Sequence, residues 1–114
     1  MISWADVEGH WRRDWLRAGA LEDRDTRVHW IQAGALFVDI RIPDGRPALG
    51  ERTRLAELDN PELLALMAAE GFAGTITLEE DRCTWHRELN WRGRPEGADV
   101  GRLYFDGGAL IEDG

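Results

Sequence analysis

The segment TRVHWIQAGALFVDIRI, residues 26–42, carries the clearest alternation of apolar and polar side chains in the chain. Its first half places Val28 and Trp30 on one face of an extended strand, because successive side chains point to opposite faces. Residues 35–42 alternate in the same way, and Ala33–Gly34 between the two halves suits a tight turn. The segment therefore predicts an antiparallel β-hairpin.

Short runs of the same kind recur on both sides of this hairpin and are separated by turns rich in glycine. The further predicted strands cover residues 10–17, 72–79, 82–91, 101–106 and 109–112. Closely spaced strands with turn residues between them are typical of an all-β fold. Within 82–91, strict alternation places Trp85, Arg87 and Trp91 on one face. The sequence thus predicts seven strands.

One segment has helical periodicity instead. Asn60–Pro61–Glu62 offers an N-cap, a proline in the first turn and an acidic residue near the helix N-terminus. Leucines and a methionine follow at helical spacing, and Gly71 suits the C-terminal cap. The pattern predicts a helix over residues 60–70, preceded by a loop over 46–59. We expect the helix to pack on the core; a lid over the barrel mouth and a dimer contact are the alternatives.

A meander of seven short antiparallel strands is expected to curl. A flat sheet would leave backbone groups unpaired at two edges, and closure into a barrel removes most of that liability. We therefore predict a mainly β fold, an antiparallel meander barrel with one α-helix. The strand at 109–112 has no following partner strand in the chain. The barrel therefore stays open, is completed by a second subunit in a homodimer, or belongs to a longer protein.

Size and charge restrict the function classes. The 114 residues, 12.9 kDa, suit a single domain spanning 1–114. The chain has 22 acidic residues against 14 arginines and a net charge of −8, which disfavours nucleic acid and anionic membranes as partners. No stretch approaches the roughly 18 uncharged apolar residues of a membrane-spanning helix. The N-terminus lacks the basic and apolar regions of a secretory signal, so we expect a cytoplasmic location.

Several chemistries are excluded by residues that are rare or absent. The chain has no lysine, which excludes Schiff-base chemistry and a P-loop lysine. Ser3 is the single serine, and its place near the terminus is poorly suited to a serine triad. Cys83 is the single cysteine, which excludes an internal disulfide and a cysteine zinc site. Because His10, His29 and His86 lack metal-site spacing, we predict no metal and no cofactor.

Local motifs distributed over most of the chain point to a family. They are Trp11–Arg12 with Trp15–Leu16, Val28-x-Trp30-Ile31-Gln32, Val38-Asp39-Ile40-Arg41-Ile42-Pro43, Glu70-Gly71-Phe72-Ala73-Gly74, Trp85-His86-Arg87, and Asp99-x-Gly101-Arg102-Leu103 with Leu110-Ile111-Glu112. In these motifs the chain resembles an uncharacterised bacterial family of lipocalin-like, calycin-type β-barrel proteins. The resemblance implies a lipocalin-like barrel that holds a small apolar ligand, and a further strand after the position of Gly114. It implies no catalytic residue, because none is established for the family.

Asp39 and Arg41 are two residues apart on a predicted strand and therefore share one face, with Val38 and Ile40 on the other. Apolar residues face the core by default, so we expect Asp39 and Arg41 to form a solvent-exposed pair. In the alternative arrangement this face lines the barrel interior. Arg41 then anchors a ligand carboxylate through two parallel hydrogen bonds.

The tryptophans allow two interpretations. Trp30, Trp85 and Trp91 lie on predicted strands beside apolar neighbours, and Trp11 and Trp15 lie on the first strand. Their large indole rings suit a filled core, which we favour, or the wall of a pocket for a flat apolar ligand. We count Trp30, Trp85 and Trp91, with Asp39 and Arg41, as candidate ligand-binding residues.

Three function classes are compatible with these residues. The first is binding of a small apolar or aromatic molecule, which can carry a carboxylate, in a tryptophan-lined barrel. The alternative is a cofactor-independent isomerase, cyclase or lyase, in which a histidine acts as base while Asp39 or Arg41 orients the substrate. Candidate acid/base residues are His29, His86, Asp39, Glu88 and Tyr104. The third is an interaction protein whose open sheet edge at 109–112 pairs with another chain.

Overall fold

The computed structural model describes residues 1–93 and 97–114 and contains two helices and nine strands in that part of the chain. The helices are α1 (Trp4–Val7) and α2 (Asn60–Met67), with a 3₁₀ turn at Leu55–Glu57. The strands are β1 (Gly9–Arg12), β2 (Leu16–Ala18), β3 (Leu21–Asp23), β4 (Arg27–Ala33), β5 (Leu36–Ile42), β6 (Glu70–Glu79), β7 (Arg82–Asn90), β8 (Ala98–Asp106) and β9 (Ala109–Asp113). Seven strands form one antiparallel sheet in the order β1-β4-β5-β6-β7-β8-β9, and β2 and β3 form a separate hairpin. The predicted mainly β, antiparallel fold is confirmed.

The seven-stranded sheet curls into a half-barrel. Four strands separate β1 from β8, which in a flat sheet would place them about 24 Å apart. Instead, the ring centroids of Trp11 on β1 and Phe105 on β8 are 6.5 Å apart. In the described residues β1 and β9 do not pair, so the sheet keeps two edges. We call its inner surface the concave face and its outer surface the convex face.

The core lies on the concave face and is closed at one end by α1. The buried apolar side chains are Ile2, Val7, Val28, Phe37, Phe72, Ile76, Cys83, Trp85 and Leu103. The backbone N–H of Ile2 donates to the carbonyl oxygen of Glu80 at 3.2 Å, and Trp11 Nε1 donates to the carbonyl oxygen of Val7 at 2.8 Å. The sequence pattern did not predict α1, because a helix of four residues is too short to show a periodicity.

The strand predicted over residues 10–17 is not continuous: its first part lies in β1, and Leu16 and Arg17 lie in β2 of the separate hairpin, which was not predicted. The chain leaves the sheet after Arg13, whose N–H donates to the carbonyl oxygen of Val28 at 3.0 Å. The guanidinium of Arg13 pairs with the Asp23 carboxylate at 3.0 Å and ties down the β2–β3 hairpin. Trp15 is consequently exposed and lies apart from the core aromatic residues.

The expected orientation of β5 is also wrong. Trp30 pairs with Asp39 across β4 and β5, and Asp39 pairs with Phe72 across β5 and β6, so all three side chains lie on the concave face. Val38 and Ile40 project from the convex face and are exposed. The apolar contribution of β5 to the core comes from Phe37 alone, because neighbouring strands supply the rest.

A β-bulge in β7 changes which residues share a face. Gly74 of β6 is opposite Arg87 and Ala73 is opposite Leu89, so Glu88 is an extra residue. Before the bulge, the predicted alternation holds and Trp85 is on the concave face. After it, Leu89 and Trp91 reach the convex side, so the prediction that Trp91 shares a face with Trp85 is wrong.

Helix α2 begins where predicted but ends earlier, at Met67 instead of residue 70. Its N-cap is Asp59, not Asn60 as predicted, and Asp59 makes a capping box with Glu62. Gly71, the predicted C-terminal cap, lies in β6. No residue of α2 is buried, so the expected packing of this helix on the core is wrong. Arg52, in the segment before α2, forms a 2.6 Å ion pair with Glu62 of the helix. This contact joins the helix to its own flanking segment and not to the sheet. The Cα radius of gyration, 16.1 Å, accordingly exceeds the roughly 13 Å of a compact chain of this length.

Candidate functional site

An aromatic cluster occupies the concave face. The indole of Trp30 stacks on Trp11 with ring centroids 6.1 Å apart and meets Trp85 edge-on at 5.5 Å. Trp30 Nε1 donates to Gln32 Oε1 at 2.9 Å, and Gln32 Nε2 donates to the carbonyl oxygen of Gly34 at 2.8 Å. These hydrogen bonds fix the indole while leaving its ring faces to apolar contacts.

A charged group lies beside these rings on the same face, and we call it the concave site: Asp39, Arg41, Phe72, Arg87 and Asp99. Arg41 Nε lies 3.1 Å from Asp39 Oδ1, and Arg87 Nη2 lies 3.4 Å from Asp99 Oδ2. Both guanidinium groups approach the ring of Phe72, at 5.4 Å for Arg41 and 3.9 Å for Arg87. Two ion pairs therefore flank one aromatic ring, an arrangement strengthened by cation–π attraction.

Burial perturbs the acidity of this region. Withdrawal from water raises the pKa of Asp39, whose side chain is 13% exposed, although the Arg41 charge acts in the opposite direction. Desolvation and then the nearby Asp99 charge raise the pKa of Glu112, on β9. Desolvation also raises the pKa of the Cys83 thiol to about 12, so this cysteine is an unreactive core residue at neutral pH.

The raised pKa of Asp39 predicts a pH dependence. Because this carboxyl binds its proton more tightly in the folded chain, the wild type loses stability as pH rises from the ordinary value of 3.8 through the higher folded value. Asparagine does not titrate. We expect the free energy of unfolding of Asp39→Asn, relative to the wild type, to increase as pH rises from 4 to 7 in urea titrations.

Asp23 provides a control of opposite sign. The N–H and hydroxyl of Thr26, with the N–H of Asp25, lower the pKa of Asp23 to about 2, so this carboxylate stabilises the fold above 3.8 and loses that effect as pH falls. The stability deficit of Asp23→Asn should therefore shrink between pH 4 and pH 3. If the free energies of unfolding of the two variants, relative to the wild type, changed with pH in the same direction, the opposite pKa shifts of Asp39 and Asp23 would be contradicted.

The structure does not bring the candidate histidines to the concave site. His29 lies on the convex face, where its Nδ1 is 2.8 Å from Nε2 of His10. His86 lies on the same face and bonds Thr77 Oγ1 at 3.1 Å. Neither faces Asp39. Of the other acid/base candidates, Glu88 is the bulge residue and Tyr104 is on the convex face of β8.

Of the five candidate binding residues, four meet on the concave face: Asp39, Arg41, Trp30 and Trp85. Trp91 is 69% exposed on the convex side. In the sequence, Arg87 shares a face with Trp85 and Asp99 lies in one of the motifs quoted above, but neither residue was predicted to belong to the site. The alternation of β7 could have identified Arg87, because it places this residue on the same face as Trp85. Asp99 had no such signal, because the predicted strand began at residue 101.

Metal binding, membrane-spanning helices and similarity to known proteins remain to be considered. In residues 1–93 and 97–114, no group of three or more His, Cys, Asp or Glu is arranged to hold a metal ion. Of the helices in that part of the chain, none has the length and apolarity to cross a membrane. Comparisons with family models, curated proteins and solved structures find no match. The lipocalin-like resemblance thus stays a prediction, while the half-barrel is compatible with it.

Proposed function

We propose that the concave face binds a small flat apolar molecule, and that a carboxylate on this ligand contacts Arg41. The observation that carries the proposal is the placement of the Asp39–Arg41 pair on the same face as Trp30 and Trp85. Rings supply apolar contact area, while a guanidinium beside them fixes the orientation of an acidic group. A lipocalin-like barrel that carries its ligand inside would use the same face.

Arg41 is suited to this role because its contact with Asp39 uses one nitrogen. Nε donates to Asp39 Oδ1, and a guanidinium has four further N–H groups on its terminal nitrogens. The side chain is 32% exposed, so solvent and ligand can reach it. Burial raises the pKa of Asp39, so this carboxyl takes up a proton at a higher pH than it would if it were exposed.

Binding of 2-naphthoate tests the proposal, with 2-naphthalenemethanol as the neutral counterpart. We expect naphthoate to quench tryptophan fluorescence, and Arg41→Ala to weaken its affinity about tenfold, since a charge-assisted hydrogen bond contributes about 1.5 kcal/mol or more. Affinity for the alcohol should change less than about twofold. The loss measures the contribution of Arg41 to carboxylate recognition.

Arg102→Ala is the matched control, because Arg102 pairs with Asp81 and projects from the opposite, convex face. Its affinity for naphthoate should equal that of the wild type. Circular dichroism and the unfolding midpoint establish that both variants remain folded. Equal losses in the two variants, or no quenching by either naphthalene compound, would reject this binding site.

The enzyme alternative is disfavoured by the same geometry. An isomerase, cyclase or lyase with a histidine base would need that histidine to face Asp39 or Arg41, and both His29 and His86 project from the convex face. The open edge is a second candidate for interaction, since β9 is paired only on its β8 side in the described residues. Its acidic residues Glu112 and Asp113 discourage pairing with an acidic strand.

A further inference from the structure

The convex face holds an apolar groove whose lining includes Asp39 and Phe72, although the side chains of these two residues point to the concave face. The groove has a volume of about 430 Å³ and is open to solvent. Side chains from β5, β6 and β7 and the residues that follow line it, among them Val38, Ile40, Gly71, Ala73, Leu89 and Trp91. Leu89 is 68% exposed and Trp91 69%. Contiguous exposure of large apolar side chains marks an interaction surface.

Helix α2 presents a second apolar surface. Its Leu64 is 69% exposed and its Met67 63%, and none of its eight residues is buried. A helix this short is marginal in water without a packing partner for its apolar side. The helix ends two residues before β6, and Arg92 Nη2 donates to the carbonyl oxygen of Ala68 at 2.9 Å. Helix and groove therefore adjoin the same end of the sheet.

We propose that a second copy of this chain covers both surfaces, with α2 of each copy lying in the convex groove of the other. A two-fold axis covers both surfaces at once, because it places α2 of each copy in the groove of the other copy. An eight-residue helix is about 12 Å long. The groove lining contains two acidic residues, Asp39 and Glu88, and the side chain of Asp39 points to the concave face, so α2 would bury little charge in the groove.

The exposed area matches what a dimer requires. Four exposed apolar side chains line the groove, Val38, Ile40, Leu89 and Trp91, and Ile31 and Leu36 are exposed on the same convex face of β4 and β5. Leu55 in the 3₁₀ turn and Leu64 and Met67 in α2 are exposed as well. If each exposes on the order of 100 Å², together they supply about the 800 Å² per partner that specific interfaces bury. The net charge of −8 on each copy opposes association, so added salt should strengthen the dimer.

Sedimentation equilibrium of the whole chain tests the proposal. We expect the wild type to have twice the 12.9 kDa chain mass at micromolar concentration. Leu64→Glu and Leu89→Glu should each raise the dissociation constant at least about 30-fold, as loss of a central apolar contact does in other interfaces. Val100→Glu is the matched control, because Val100 is an exposed apolar residue on the convex face of β8, outside the groove. It should leave the dimer unchanged.

A compensating pair tests the contact itself. Leu64→Lys combined with Leu89→Glu should restore part of the affinity that each single change removes. A folded wild type that sediments as one chain would overturn the proposal, as would a dimer that survives Leu64→Glu. Equal weakening by Val100→Glu would also overturn it. Naphthoate binding reports separately on the concave site, so the two proposals fail independently.

Discussion

Replacing Trp85 with alanine is expected to lower the free energy of unfolding by about 3–5 kcal/mol, the loss typical of truncating a large buried aromatic side chain. Trp85 is 7% exposed and packs edge-on against Trp30 in the centre of the concave face. Removal leaves a cavity that the curled sheet cannot close without moving strands. The midpoint of thermal unfolding should fall by about 12–20 °C.

Trp15→Ala is the matched control for this change. Trp15 is exposed outside the core and contacts the guanidinium of Arg17, 4.7 Å from the ring centroid. Its loss should cost less than about 1 kcal/mol, the range of an exposed cation–π pair. Urea and thermal unfolding measure both variants. A loss below about 1 kcal/mol for Trp85→Ala would place this residue outside the packed core.

Gly74→Ala is expected to destabilise the chain by about 2–3 kcal/mol, at the upper end of the overpacking range. Gly74 lies on β6, opposite the β-bulge of β7. A Cβ atom at this position would collide with the backbone carbonyl oxygen of His86 and would lie 3.0 Å from the amide nitrogen of Glu88. Relief requires a shift of β7 away from β6, which stretches the hydrogen bonds of the central strand pair.

Gly101→Ala separates backbone collision from simple crowding. A Cβ atom at Gly101 would also be too close to a neighbour, 2.6 Å from Glu112 Cγ, but that neighbour is a side chain of the edge strand β9. It can rotate into solvent, so the cost should stay below about 1 kcal/mol. Chemical unfolding compares the two variants, and equal losses would argue against the backbone collision at Gly74.

Much of the fold was predictable because alternation is a local property. The hairpin of β4 and β5, the pair β6 and β7, and the pair β8 and β9 all follow from short alternating runs with turn residues between them. The breaks were not predictable. The chain leaves the sheet after Arg13, whose guanidinium pairs with Asp23, ten residues away in sequence. Similarly, the bulge at Glu88 is visible only as a mismatch with β6.

The candidate site was half predictable. Alternation placed Trp30 and Trp85 on inward faces and kept Asp39 and Arg41 together, but it could not say which face of β5 points inward. That choice depends on Phe72 and Trp30, which flank Asp39 from the two neighbouring strands. Arg87 belongs to the site for the same reason, because its guanidinium lies over the Phe72 ring.

The sequence by itself determined the antiparallel strands, their turns, the start of α2 and the residues that share each strand face, because these depend on spacing along the chain. Only the tertiary structure decided that Asp39 and Arg41 face the aromatic cluster, that Trp91 lies on the convex side and that α2 stays off the core. The physical reason is that inward and outward are set by how strands combine their side chains across the sheet. A charged pair can face inward when its neighbours supply enough apolar area and opposite charge to offset its loss of water.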